Sequence, residues 1–85
     1  MWFRKCFLKN FTAMKTELLI RLGERIKTLR KERSWSQEKL ADKTGFHRTY
    51  IGMIERGERN PSLININVFA ETFEMSASEL LKFKE

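Results

Sequence analysis

The polar residues best placed for chemistry stand where the apolar pattern breaks and restarts. Gln37, Asn60 and Ser62 fall at such restarts, and there a polar side chain together with the free amides of a new helix can receive a phosphate. The alternative at each is ordinary helix capping, whose loss costs about 1 kcal/mol and which needs no ligand. Cations are in excess: seventeen Lys and Arg oppose eleven Asp and Glu, a net charge of +6, which favours a polyanion as partner. Cys6 and His47 are the only residues of their kinds, so no disulfide within the chain and no Cys/His metal spacing can be built. There is no paired nucleophile and base and no glycine-rich phosphate loop. The expectation is a binding protein without catalytic residues, metal or cofactor, and no small-molecule ligand is evident.

The elements that position these residues are helical. Eighty-five residues form at most one small domain, which buries about 64% of the surface its unfolded chain exposes. Apolar residues recur at three- and four-residue steps along the chain, and period-2 strand signals are nearly absent. A first helix is predicted from about Glu17 to Arg33, capped by Thr16, with Leu18, Leu19, Leu22, Ile26 and Leu29 inward and Arg21, Arg25, Lys27, Arg30 and Lys31 on the solvent face. Ser36 caps a second helix, Gln37 to Thr44, closed by Gly45. A third occupies about His47 to Arg56 and stops at Gly57. Ser62 caps a fourth, Leu63 to Phe73, with Leu63, Ile66, Val68, Phe69, Ala70 and Phe73 apolar. The quartet Ser76 to Glu79 has capping-box form and opens a short fifth helix, Ala77 to Phe83.

Within this order, the second and third helices carry the residue types of a tight helix-turn-helix. Ala41 permits close packing, Gly45 suits a left-handed turn, and Leu40, Phe46, Ile51 and Ile54 supply the apolar set. An ordinary helical hairpin shows several of these. The joint pattern adds a basic surface: residues 21 to 59 hold eleven basic and six acidic residues, a net of +5, whereas residues 60 to 85 hold two basic and four acidic, a net of −2.

The stretch SWSQEKLADKTGFHRTYIGMIERGERNPSL, Ser34 to Leu63, resembles the helix-turn-helix family of phage repressor and Cro proteins, the XRE family. The likeness extends over about residues 18 to 83. The run from His47 to Ile66 is similar to the controller proteins of bacterial restriction-modification systems. The resemblance implies a compact, all-α, five-helix, lambda-repressor-like domain. It also implies a homodimer on a palindromic or pseudo-palindromic double-stranded DNA operator, acting as repressor or activator of transcription, with RNA polymerase as a possible further partner. An antitoxin or a phage-type repressor of the same fold is the alternative within this class.

A recognition helix of that kind enters the major groove with its N-terminal residues toward base edges, which places Arg48, Thr49 and Met53 on the accessible face. The fork of Arg48 can donate twice to a guanine, and Thr49 can hydrogen-bond or meet a thymine methyl. Tyr50 is balanced between DNA contact and packing. Gln37, Asn60 and Ser62 are expected on phosphates, with Arg59 in the turn beside them. Arg56 is expected to pair with a nearby carboxylate, and Glu55 to be structural, because an acid facing phosphates would repel them. For His47, capping of the third helix outweighs phosphate contact.

Leu80, Leu81 and Phe83 are expected at the dimer interface, which would set two recognition helices about 34 Å apart, one turn of DNA. Leu80 also has the option of closing the monomer core. Residues 1 to 15, with four basic residues and no acid, read as a flexible or non-native extension of a DNA-binding domain spanning 16 to 85. A reading from another class makes that basic, aromatic extension a membrane-surface anchor, with Phe3, Phe7, Phe11, Met14 and Leu18 at helical steps. The longest aliphatic run, Leu18 to Ile20, is far too short to span a bilayer, so a membrane partner is disfavoured and a cytoplasmic location expected.

Overall fold

Serine side chains start three of the five helices. In the computed structural model, backbone is described for residues 2 to 83 and side chains for 15 to 83. The elements are α1 (Trp2–Glu32), α2 (Gln37–Thr44), α3 (Arg48–Glu55), α4 (Leu63–Thr72) and α5 (Ala77–Leu80), with no strand among the described residues. The Oγ atoms of Ser36, Ser62 and Ser76 accept from the backbone N–H of Lys39, Asn65 and Glu79, at 3.0, 3.1 and 3.1 Å. Each satisfies one of the donors a helix start leaves open.

Three helix ends share one termination motif. At α1, α3 and α4 a residue of positive φ (Ser34, Gly57, Glu74) follows the helix, and the next residue's N–H reaches back five positions: Trp35 to Arg30, Glu58 to Met53, Met75 to Ala70. Only Gly57 is the glycine this geometry favours. The predicted cap at Thr16 is corrected, because α1 runs through it. No proline or glycine stands between Trp2 and Leu22 to stop a helix. The proposed extension 1 to 15 lies, but for Lys15, outside the residues whose side chains are described.

The core is formed by Leu22, Ile26 and Leu29 of α1, Leu40 and Ala41 of α2, Ile51 and Ile54 of α3, Phe69, Ala70 and Phe73 of α4, and Leu80 of α5. Trp35 closes one edge, stacked on Phe73 at 5.9 Å with the Lys43 ammonium 4.8 Å from its ring centroid. α1 crosses the end of α3 at Gly23. A Cβ there would lie 2.6 Å from the Glu55 carbonyl oxygen and closer still to that of Ile54. Leu18, predicted inward, is half exposed, whereas Leu22, one turn on, is buried.

Arg25 of α1 and Arg33 in the turn just after it tie the other helices to α1. Arg25 donates to the carbonyls of Glu79 and Leu80 at 3.0 and 3.2 Å, and Arg33 to those of Leu29 and Phe73, both at 2.9 Å. These carbonyls belong to the last turns of α5, α1 and α4, where intrahelical donors run out. Arg30, predicted on the solvent face, is 8% exposed. It follows Leu22 and Ile26 at steps of four, so its position is a core position despite its charge. α5 is one turn long, which leaves Phe83 beyond its end but still against the core.

Candidate nucleic-acid interface

The turn between α2 and α3 is set by Gly45 at φ +80°, where its N–H donates to the Ala41 carbonyl at 2.8 Å. Nothing lies within 4 Å of a Cβ built on Gly45, so the requirement for glycine is one of backbone conformation, not of space. Thr44 reinforces the turn: its Oγ1 donates to the Leu40 carbonyl at 2.8 Å and accepts from the Phe46 N–H at 3.3 Å. From there α3 is held from inside by Ile51 and Ile54, both essentially inaccessible.

What α3 leaves outside is the polar set expected of it. Arg48 and Thr49 are exposed in its first turn and Met53 is half-buried one turn on. His47 precedes them as the N-cap, with Nδ1 accepting from the Thr49 N–H at 3.1 Å. Tyr50 is half-buried. Phe46 meets it edge-on at 5.1 Å, and its hydroxyl accepts from Asn65 Nδ2 at 3.0 Å. The Arg59 guanidinium stands 5.6 Å from the centroid of the same ring, so Tyr50 joins α3, α4 and the loop between them.

Gln37 opens α2 with its side chain laid across α3. Its Nε2 donates to Glu55 Oε1 at 3.1 Å, and its Oε1 would lie 3.8 Å from a Cβ at Gly52. Glu55 is buried and takes two further bonds from Arg30, at 2.6 and 3.0 Å. The remaining Arg30 arm donates to the Trp35 carbonyl at 2.8 Å, fixing the turn from which α2 starts. Glu55 is thus structural, as its type suggested. Its partners, Arg30 and Gln37, were missed, although the four-residue steps from Leu22 through Ile26 to Arg30 mark an inward position.

Asn60 is exposed in the α3–α4 loop, and Ser62 caps α4. Arg56 pairs with Glu58 at 2.9 Å, as expected of it. Its hydrogen bond holds the Glu58 carboxyl below the ordinary carboxylate range, and the guanidinium is raised in turn. The starts of α2, α3 and α4 and the α3–α4 loop therefore present Gln37, Arg48, Thr49, Arg59, Asn60 and Ser62, with Met53 and Tyr50 partly covered behind them.

Two apolar expectations change. Leu80, expected at an interface between copies, is fully buried in its own core and cannot meet a partner. Leu81 remains 38% exposed and Phe83 is half-buried. Leu63, counted among the apolar positions of α4, is 73% exposed, and its neighbour Ile64 76%. The α4 core face is carried by Phe69, Ala70 and Phe73, with Ile66 packed against it, and Leu63 and Ile64 lie on the side that faces solvent. Among the described residues no helix is long and apolar enough to cross a membrane.

The helix-turn-helix family model HTH_3 matches residues 26–80. The control protein C.SmaI of Serratia marcescens is 42% identical over 60 residues, covering 71% of either chain. Among solved structures, the restriction-modification controller protein C.AhdI from Aeromonas hydrophila superposes with a TM-score of 0.70 at 42% identity, over 73% of this chain and 94% of that one. The restriction-modification controller protein C.Esp1396I, determined as a tetramer in complex with its natural 35-base-pair operator, superposes with a TM-score of 0.68 at 36% identity, over 75% of this chain and 88% of its own.

Proposed function

The chain belongs to the HTH_3 helix-turn-helix family, and from that premise we propose that it is a sequence-specific DNA-binding transcription regulator of the restriction-modification controller type. It acts as a homodimer on a palindromic or pseudo-palindromic operator. Residues 16 to 85 form the DNA-binding domain, the work is done by binding without catalysis, and it takes place in the cytoplasm.

One observation carries this reading: α3 is anchored by Ile51 and Ile54 while its first turn offers Arg48 and Thr49 to solvent, flanked by the starts of α2 and α4. A helix held in this way enters the major groove as a rigid body. Arg48 and Thr49 then read base edges, with Met53 and the exposed part of Tyr50 behind them. Gln37, Asn60, Ser62 and Arg59 hold the phosphates on either side and fix the depth of insertion. Leu81 and Phe83 supply apolar surface of the C-terminal segment to the second copy. Selection of bound duplexes from a random pool tests the whole reading, because it returns specificity, symmetry and half-site spacing together. Equal affinity for the selected and a scrambled duplex would sink it.

A further inference from the structure

We propose that His47 is a specificity-determining residue that donates from Nε2 to the N7 atom of a purine in the major groove. The inference rests on the DNA-binding reading above and goes beyond it by giving the cap of α3 a second function.

Capping determines where the ring proton sits. Nδ1 accepts the Thr49 N–H at 3.1 Å, so it carries no proton, and the neutral imidazole must hold its proton on Nε2. The same bond turns the ring so that Nδ1 faces the first turn of α3 and Nε2 lies on the far edge. His47 is exposed there, and among the described residues nothing in the chain accepts from Nε2. A Ser at this position would cap as well, as Ser36, Ser62 and Ser76 do elsewhere in the chain, but it would place no donor beyond the cap. His47 adds a single, oriented N–H next to Arg48 and Thr49.

A lone donor reads less than the fork of an arginine. Guanine and adenine both present the N7 acceptor in the major groove, whereas cytosine presents the N4 donor there. His47 therefore favours either purine at one position of each half-site and rejects cytosine most strongly. One net hydrogen bond corresponds to a discrimination of about 3- to 10-fold.

The test compares the full-length wild type with His47→Ser by selection from a random duplex pool, by salt titration and by thermal melting. His47→Asn serves as a second capping variant if His47→Ser does not fold. The expected result is an unchanged fold, loss of the purine preference at one position per half-site, and unchanged preference elsewhere. Replacing that purine by its 7-deaza analogue should weaken the wild type about 3- to 10-fold and leave the variant unaffected. Uniform weakening on all sequences, with no change in base preference, would place the donor on a phosphate and overturn the proposal. Unchanged specificity in the variant, or a wild type indifferent to the 7-deaza base, would overturn it while leaving the DNA-binding reading intact. A wild type that selects no sequence at all would remove both.

Discussion

Glu55 accepts both arms of a fork from Arg30, at 2.6 and 3.0 Å, in a place where the two side chains are 3% and 9% exposed. The pair joins α1 to the end of α3, and through Gln37 it also holds the start of α2. Removing one member leaves the other charged and buried, which typically costs about 3 to 5 kcal/mol. Against the roughly 5 to 15 kcal/mol that stabilises a domain, Glu55→Ala should remove a large share of the stability and lower the denaturation midpoint markedly. Arg30→Met with Glu55→Leu should recover most of the loss, because neither charge then remains. Urea denaturation of the single and double variants provides the cycle, and a cost under about 1 kcal/mol for Glu55→Ala would show the pair to be ordinary surface charge.

Gly23→Ala should destabilise, although alanine is the better helix former by about 1 kcal/mol. The added methyl meets carbonyl oxygens of Ile54 and Glu55, which are backbone and cannot turn aside as a side chain end can. Separating α1 from α3 by the required distance is an overpacking cost of about 1 to 3 kcal/mol, readable as a lowered melting temperature.

Glu74→Gly should act in the opposite direction. Glu74 ends α4 at φ +60°, a conformation that costs a side-chain-bearing residue about 1 kcal/mol and glycine almost nothing. The residue is exposed, so little packing is lost with it. Calorimetry should show a gain of about 1 kcal/mol, and a loss would mean that the Glu74 side chain holds more than the structure records.

Arg48→Ala and Gln37→Ala should weaken DNA binding in different ways. Loss of the Arg48 fork should relax preference at one base position by about 1 to 3 kcal/mol. Loss of Gln37 should reduce affinity similarly for all sequences, since it removes a phosphate contact and not a base contact, and should leave the slope of log K against log salt unchanged, because the amide carries no charge. Binding titrations on the selected operator and on single-base variants separate the two, and identical profiles would contradict the division of roles.

Helix order and most helix ends were legible because they depend on single residues with local effects. Ser36, Ser62 and Ser76 cap as their spacing implied, and Gly45 and Gly57 stand in left-handed turns. The first turn of α3 was legible for the same reason: Ile51 and Ile54 determine which side is inward, and Arg48 and Thr49 are left outside. What periodicity does not reveal is which apolar positions the neighbouring helices cover. Leu18 and Leu63 belong to apolar runs but are exposed, and Leu80 is covered more fully than a terminal turn suggests. Nor does charge reveal depth. Arg30 and Glu55 lie inside because each neutralises the other, a relation between residues 25 positions apart.

The anchoring of α4 and α5 by guanidinium groups makes the tolerance of α1 and the turn after it to sequence change uneven. Lys27 and Lys31 are exposed and can be exchanged for any soluble residue with little consequence for the fold. Arg25, Arg30 and Arg33 each bridge two acceptors with one planar group. A lysine keeps the charge at such a site but not the geometry, since its single ammonium has neither the reach nor the fixed fork. Arginine-to-lysine drift is therefore not neutral at these three positions, and a homologue lacking these arginines must close its last two helices by some other means.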